Sequence, residues 1–171
     1  MATRNRILVV MRHAKAEPFG DEDHQRQLTE RGHRDAAEAG AWLAAQGIVP
    51  THAMVSSAAR AQATWESLAK SAGGSAVVTY DDGLFSAGPD TALDVLRTAT
   101  PEATVLVFVG HNPTAAYLAH MLSDGTPDPD AFRAMSEGFP AAALAVLEVP
   151  VDWADLAEGS ANVTHFHVGK G

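Results

Sequence analysis

Arg12 and His13 close an apolar run, Ile7-Leu8-Val9-Val10-Met11, and this pair has the clearest chemical meaning in the chain. The exit of a buried strand into a loop is where α/β proteins place functional groups. A guanidinium there grips a phosphoryl oxygen through two parallel hydrogen bonds, while an imidazole nitrogen attacks phosphorus or relays a proton. Alone, an Arg-His pair at a strand end is more often a solvated loop, so its meaning rests on what accompanies it.

Two further strand ends supply company. A second short strand runs into Ser56-Ser57-Ala58-Ala59-Arg60-Ala61-Gln62-Ala63-Thr64, with Arg60 in the first turn of the helix that follows. A later apolar strand runs into Gly110-His111-Asn112-Pro113, again at a helix start. In a parallel sheet the carboxyl ends of strands share one edge, so Arg12, His13, Arg60 and His111 can converge. Two arginines and two histidines around one point form a pocket for a tetrahedral dianion, with helix N-termini adding donors. Arg26, in the polar loop after the first strand, either lines the rim of that pocket or is a surface arginine.

The elements that must position these groups alternate between strand and helix. Arg6 to Met11 reads as a strand buried on both faces. Pro18 to Gln27 is a polar loop, and Thr29 caps a helix through about Gln46 that Gly47 stops. His52 to Ser56 is a strand, and a helix follows over about Ala59 to Ser71. Ala76 to Tyr80 is a third strand after the Gly73-Gly74 break, and Pro89 starts a helix ending near Thr98. Thr104 to Val109 is a second continuous apolar strand, and Pro113 opens a helix to about Leu122. Asp124 to Pro129 reads as a turn-rich loop. Ala142 to Val149 and Asn162 to Val168 close the pattern at one edge of the sheet. The expectation is one domain over residues 1–171, a three-layer α/β/α sandwich with a mostly parallel sheet.

Composition narrows the classes. A formal net charge of -9 with 12 basic residues argues against nucleic acid, which binds through displaced counterions. A local basic pocket remains compatible with an anionic substrate, because the walls of a cleft set its field. No apolar run is long enough to span a bilayer, and the N-terminus lacks the apolar core of a signal peptide, so no membrane and a cytoplasmic location are expected. With no cysteine there is no thiolate nucleophile and no cysteine-zinc site.

Taken in order, these motifs resemble the histidine phosphatase superfamily, in particular the small SixA-type phosphohistidine phosphatases. Arg12-His13-Ala14 is similar to that family's Arg-His-Gly signature, with Ala14 in the glycine place. Asp23 through Gly32 resembles its Asp-x-x-Arg-Pro-Leu-Thr-x-x-Gly segment, with Gln27 in place of proline. Ser56 through Thr64 matches its Ser-x-x-x-Arg-Ala-x-x-Thr pattern, and Gly110-His111-Asn112-Pro113 falls on its second-histidine motif. The resemblance implies a phosphoglycerate mutase-like fold without a large lid. It also implies that His13 is the nucleophile, held neutral by neighbouring cations and passing through a phosphohistidine intermediate. Arg12, Arg60 and His111 would hold the equatorial oxygens, with no cofactor and no metal.

Phosphate esters need a general acid for the leaving alkoxide. The resemblance implies that the acid phosphatase branch has Asp directly after the second His, where this chain has Asn112. The resemblance also implies that the mutase branch takes a Glu from the stretch between the Arg60 and His111 motifs, and here the region Tyr80 to Asp90 offers only Asp81, Asp82 and Asp90, none at a clearly matching position. A phosphoramidate leaves as an imidazole and needs less help, which favours a histidine-phosphorylated protein as partner over a small phosphate ester. Two alternatives stay open, a phosphomonoesterase for a small metabolite and a non-catalytic phosphate-binding module.

Other residues have plainer readings. Ser56 and Ser57 lack a nucleophile-elbow context and read as structural or capping residues. His24, His33, His52 and His120 read as solvated or core histidines. His165 and His167 share a strand face but bring no local third ligand, so a metal site is not expected there. Trp42, Trp65 and Trp153 read as packing residues. The acidic loop of Glu17, Asp21, Glu22 and Asp23 is a solvated face, with the alternative that one carboxylate supplies an acid or contacts a basic partner.

Overall fold

The computed structural model describes residues 5–171. Its centre is a six-stranded sheet, from edge to edge β3 (Val77–Asp81), β2 (His52–Ser56), β4 (Val105–Gly110), β1 (Arg6–Arg12), β5 (Ala143–Val149) and β6 (Asn162–Val168). The first four are parallel, and β5 and β6 join antiparallel. The closing strands therefore sit at one edge, and the sheet is mostly parallel, as the alternation of elements predicts.

Alternation along β1 divides the core. Leu8 and Val10 point to one face, with Phe108, Leu118 and Trp153, whereas Val9 and Met11 point to the other, with Leu43, Trp65 and Val109. The second face is covered by α1 (Glu30–Ala45) and α2 (Ala59–Ala72), the first by α3 (Pro89–Leu96), α4 (Thr114–Leu122) and α5 (Pro129–Glu137). Three layers result. Thr29 caps α1, its hydroxyl accepting from the Gly32 amide at 3.0 Å. Within α1, Gly40 lets the backbone lie against α2, where a Cβ would collide with the Leu68 carbonyl.

The turn-rich stretch before Pro129 hides a helix that the sequence reading misses. Asp128 caps α5 by accepting from the Ala131 amide at 2.9 Å, and Pro129 occupies its first turn. At α3 the regular helix stops at Leu96 rather than near Thr98, and Thr98 and Ala99 continue as tighter turns. Between Arg60 and His111 the chain is α2, β3, α3 and β4 with short connections, and no large lid is inserted.

Candidate active site

Strand register brings the predicted residues together. Arg12 on β1 lies opposite Gly110 on β4, and the His13 amide donates to the Gly110 carbonyl at 2.9 Å. His13 and His111 therefore leave the sheet side by side, their ring centroids 5.2 Å apart. On the other flank of β4, Val55 of β2 is paired with Val109, so Ser56 emerges beside His111. Its hydroxyl lies 2.8 Å from His111 Nε2. Arg60, in the first turn of α2, is 5 % exposed.

The tautomer of His13 follows from its partner. Nδ1 lies 2.7 Å from the Ala14 carbonyl, which can only accept, so Nδ1 carries the hydrogen and Nε2 presents its lone pair. Burial pushes the His13 pKa down to about 4, with the Ala14 carbonyl opposing and the charges of Arg60, Arg12 and Arg26 assisting. Burial likewise takes His111 down to about 3, helped by His13 and Arg60. Both rings are neutral at neutral pH.

The guanidinium groups are held by backbone as much as by side chains. Arg12 donates to the Phe139 carbonyl at 3.2 Å, and Arg60 donates to the Asp23 carbonyl at 2.7 Å and to its carboxylate at 3.2 Å. Both leave a buried Nε–H without a hydrogen-bond partner, a costly state for a desolvated donor. Arg26 lines the cleft and also donates to the Asp23 carboxylate, at 2.9 Å. Asp23 thus bridges two arginines. Partial desolvation opposes ionisation, but Arg60 and Arg26 hold its carboxyl below the ordinary value.

Three contributors escape sequence reasoning. The buried Thr64 hydroxyl accepts from the Ala14 amide at 2.9 Å and donates to the Arg60 carbonyl at 2.7 Å, tying the loop after β1 to α2. Ser56, expected to be merely structural, touches His111. The Phe85 ring meets His111 and His24 edge-on, at 5.7 and 4.9 Å, and the Arg60 guanidinium lies 5.8 Å from its centre.

Together Arg12, His13, Arg26, Arg60, His111 and Asn112 line a cleft of about 390 Å³, completed by Lys15, Ala16 and Ala141. Its lining contains no carboxylate. Asn112 turns its amide to the Phe139 carbonyl at 2.7 Å, with its oxygen 3.4 Å from the Ala116 amide. Asp81 caps the Gly83 amide, and Asp81, Asp82 and Asp90 all lie outside the lining.

The remaining histidines serve elsewhere. His24, His33 and His52 meet the hydroxyls of Ser57, Ser67 and Thr51, and His120 packs edge-on to Phe132. His165 and His167 both pack on Trp42. A carboxylate does reach His167, Glu38 from α1 at 2.9 Å, but no cluster of three or more metal-ligating side chains forms among the described residues.

A Nakamurella multipartitia structure described as a phosphohistidine phosphatase of SixA type superposes with a TM-score of 0.85 at 32 % identity, over 96 % of each chain. The chain belongs to the histidine phosphatase superfamily. The sequence model of that superfamily's branch 1 matches residues 8–85, the stretch from β1 to Phe85 that carries Arg12, His13, Arg26 and Arg60. A second SixA structure, from Agrobacterium tumefaciens, is 26 % identical over 95 % of this chain and 97 % of that one, with a TM-score of 0.78. An uncharacterised protein of Mycobacterium tuberculosis is 40 % identical over 163 residues, 94 % of this chain and all of the relative. This superfamily hydrolase is of SixA type and has the phosphoglycerate mutase-like fold. Among the described residues, no helix is long and apolar enough to cross a membrane.

Proposed function

We propose that the protein is a metal-independent phosphatase that removes the phosphoryl group from phosphohistidine on another protein. The observation that carries this reading is a cleft with arginines and two neutral imidazoles but no carboxylate in its lining. The His13 Nε2 lone pair attacks phosphorus in line, and the P–N bond to the substrate imidazole breaks. That ring enters already protonated on its remote nitrogen and leaves as neutral imidazole with the P–N electron pair, so no acid is needed at the scissile bond. As His13 takes up phosphorus its ring gains positive charge, and the Ala14 carbonyl at Nδ1–H stabilises it. Arg12, Arg60 and His111 hold the three equatorial oxygens, and the dianion supplies acceptors to guanidinium groups the protein leaves partly unmet. Water then attacks the phosphorus on His13, the P–Nε2 bond breaks, and phosphate and free His13 result. Asp23 positions Arg60 and Arg26 and stays ionised.

The test compares a histidine-phosphorylated protein with an aryl phosphate, in EDTA, for wild type and His13→Ala. Rapid, EDTA-insensitive and His13-dependent loss from the phosphoprotein, with slow ester hydrolysis, is expected. The reverse preference moves the assignment to small-molecule esters. Tight phosphate binding with no phosphoenzyme at any time moves it to a binding module.

A further inference from the structure

We propose that the catalytic cleft continues into a second, cationic pocket that takes carboxylate side chains flanking the phosphohistidine of the partner protein. The proposal rests on the phosphohistidine reading above and names which partner surface that site accepts.

The pocket holds about 450 Å³, with Lys15, Arg31, Asp35, Ala141 and Lys170 in its wall. Lys15 and Ala141 also line the catalytic cleft, so the two spaces adjoin. Its walls are fixed. The Lys15 carbonyl accepts from the Thr29 amide and hydroxyl, at 3.0 and 3.2 Å. The terminal segment is pinned by Gly169 N–H to the Ala142 carbonyl, Lys170 N–H to Glu38 and Gly171 N–H to Asp35.

Charge accounting favours an anionic guest. Asp35 is buried, and both its oxygens are taken, one by the Gly171 amide and the other by Arg31 at 3.6 Å. Lys15 and Lys170 make no side-chain ion pair among the described residues, whereas Arg6, Arg97 and Arg133 on other surfaces each face an aspartate. Arg12, Lys15, Arg26, Arg31, Arg60 and Lys170 line one or other of these two spaces, half of the 12 basic residues in a chain of net charge -9. Such segregation concentrates positive potential along one track. A larger groove, walled partly by Glu17, Asp21 and Glu66, shares no lining residue with the catalytic cleft. A peptide segment leaving the cleft past Lys15 therefore meets ammonium groups, which pair with carboxylates as point charges.

The experiment uses two phosphohistidine peptides, one flanked by Asp and Glu and the other by Asn and Gln at the same positions. Exposed ion pairs each contribute a factor of up to about five, so wild type prefers the acidic peptide on the order of tenfold in kcat/KM. The preference resides in KM and fades at high salt. Lys170→Gln, in the second pocket alone, lowers the preference and leaves turnover of the neutral peptide as its internal reference, and adding Lys15→Gln removes the preference, read as the ratio between the two peptides. Binding of both labelled peptides to His13→Ala, with and without the lysine substitutions, reads the pocket independently of turnover. Equal handling by wild type, or a preference that survives loss of both lysines, overturns the proposal. So does a preference for the peptide flanked by Asn and Gln. If neither phosphopeptide is hydrolysed yet His13→Ala binds the acidic one better through the lysines, the pocket stands and the phosphatase reading falls.

Discussion

The Ser56 hydroxyl lies 2.8 Å from His111 Nε2, and the same oxygen is 3.3 Å from the Ala58 amide. One buried side chain thus links the end of β2, the start of α2 and the second histidine. The Ala58 amide takes one of the two acceptor positions on Ser56, and the hydroxyl still has a hydrogen to donate and a lone pair to accept, so it holds Nε2 of neutral His111 in either tautomer. The contact sets which edge of the His111 ring faces the cleft.

Ser56→Ala therefore releases the His111 ring while keeping the fold. We expect kcat/KM on phosphohistidine substrate to fall about tenfold or more, with a stability loss of about 1 kcal/mol. Steady-state kinetics and thermal melting of the same preparation check this. Unchanged kinetics would mean that His111 keeps its orientation without Ser56.

Thr64→Val is nearly isosteric, yet it strands the buried Ala14 amide, whose acceptor is the Thr64 hydroxyl. Leaving such a donor unmet costs about 1–3 kcal/mol. For a chain of this length each kcal/mol lowers Tm by about 2–4 °C. Because Ala14 also holds His13 Nδ1–H, turnover should drop alongside Tm, whereas Thr64→Ser should restore both.

Much of this arrangement was legible in the sequence, and the rest was hidden for physical reasons. Arg12, His13, Arg60 and His111 stand at strand ends, where residue type and position carry a signal, and parallel register does the convergence. Ser56 and Thr64 were visible as polar residues, but their partners lie 55 and 50 positions away. Phe139 serves both Arg12 and Asn112 through its carbonyl, and a backbone acceptor leaves no trace in residue identity. The helix α5 does carry a signal, the Asp128-Pro129 pair, but in a stretch rich in turn residues that pair looks like one more turn.

The two depressed histidines give a signed pH dependence. Folded His13 and His111 titrate at about 4 and about 3, against an ordinary 6.5, so between these values the unfolded chain binds more protons than the folded one. Their contribution to stability is complete above pH 6.5 and declines as pH falls through 6.5 toward the folded values. Wild-type Tm should accordingly fall more between pH 7 and 4.5 than that of His111→Gln, which lacks one of the two groups. For activity, His13, the proposed nucleophile, stays unprotonated well below 6.5 in the free protein. Because the substrate ring must carry a proton to leave as neutral imidazole, a basic limb in kcat/KM that shifts with substrate would belong to the substrate imidazole rather than to His13.

Asn112→Asp tests directly whether the lack of an acid shapes substrate choice. Asn112 donates to the Phe139 carbonyl, and an ionised aspartate there would set a carboxylate oxygen against a carbonyl oxygen. The protonated acid can donate in its place, so the folded pKa of the new carboxyl rises above the ordinary carboxylate range. A raised folded pKa makes the variant's stability penalty greatest at neutral and alkaline pH and relieves it as pH falls through that value. Urea melts at pH 8 and pH 5 should show this narrowing gap to wild type. The same protonated carboxyl lines the cleft beside His111, where an ester's departing alkoxide needs a proton. Aryl phosphate hydrolysis by Asn112→Asp should therefore rise above wild type as pH falls, while phosphohistidine turnover does not improve. If the ester rate matched wild type at every pH, the missing carboxylate would not be what limits ester hydrolysis.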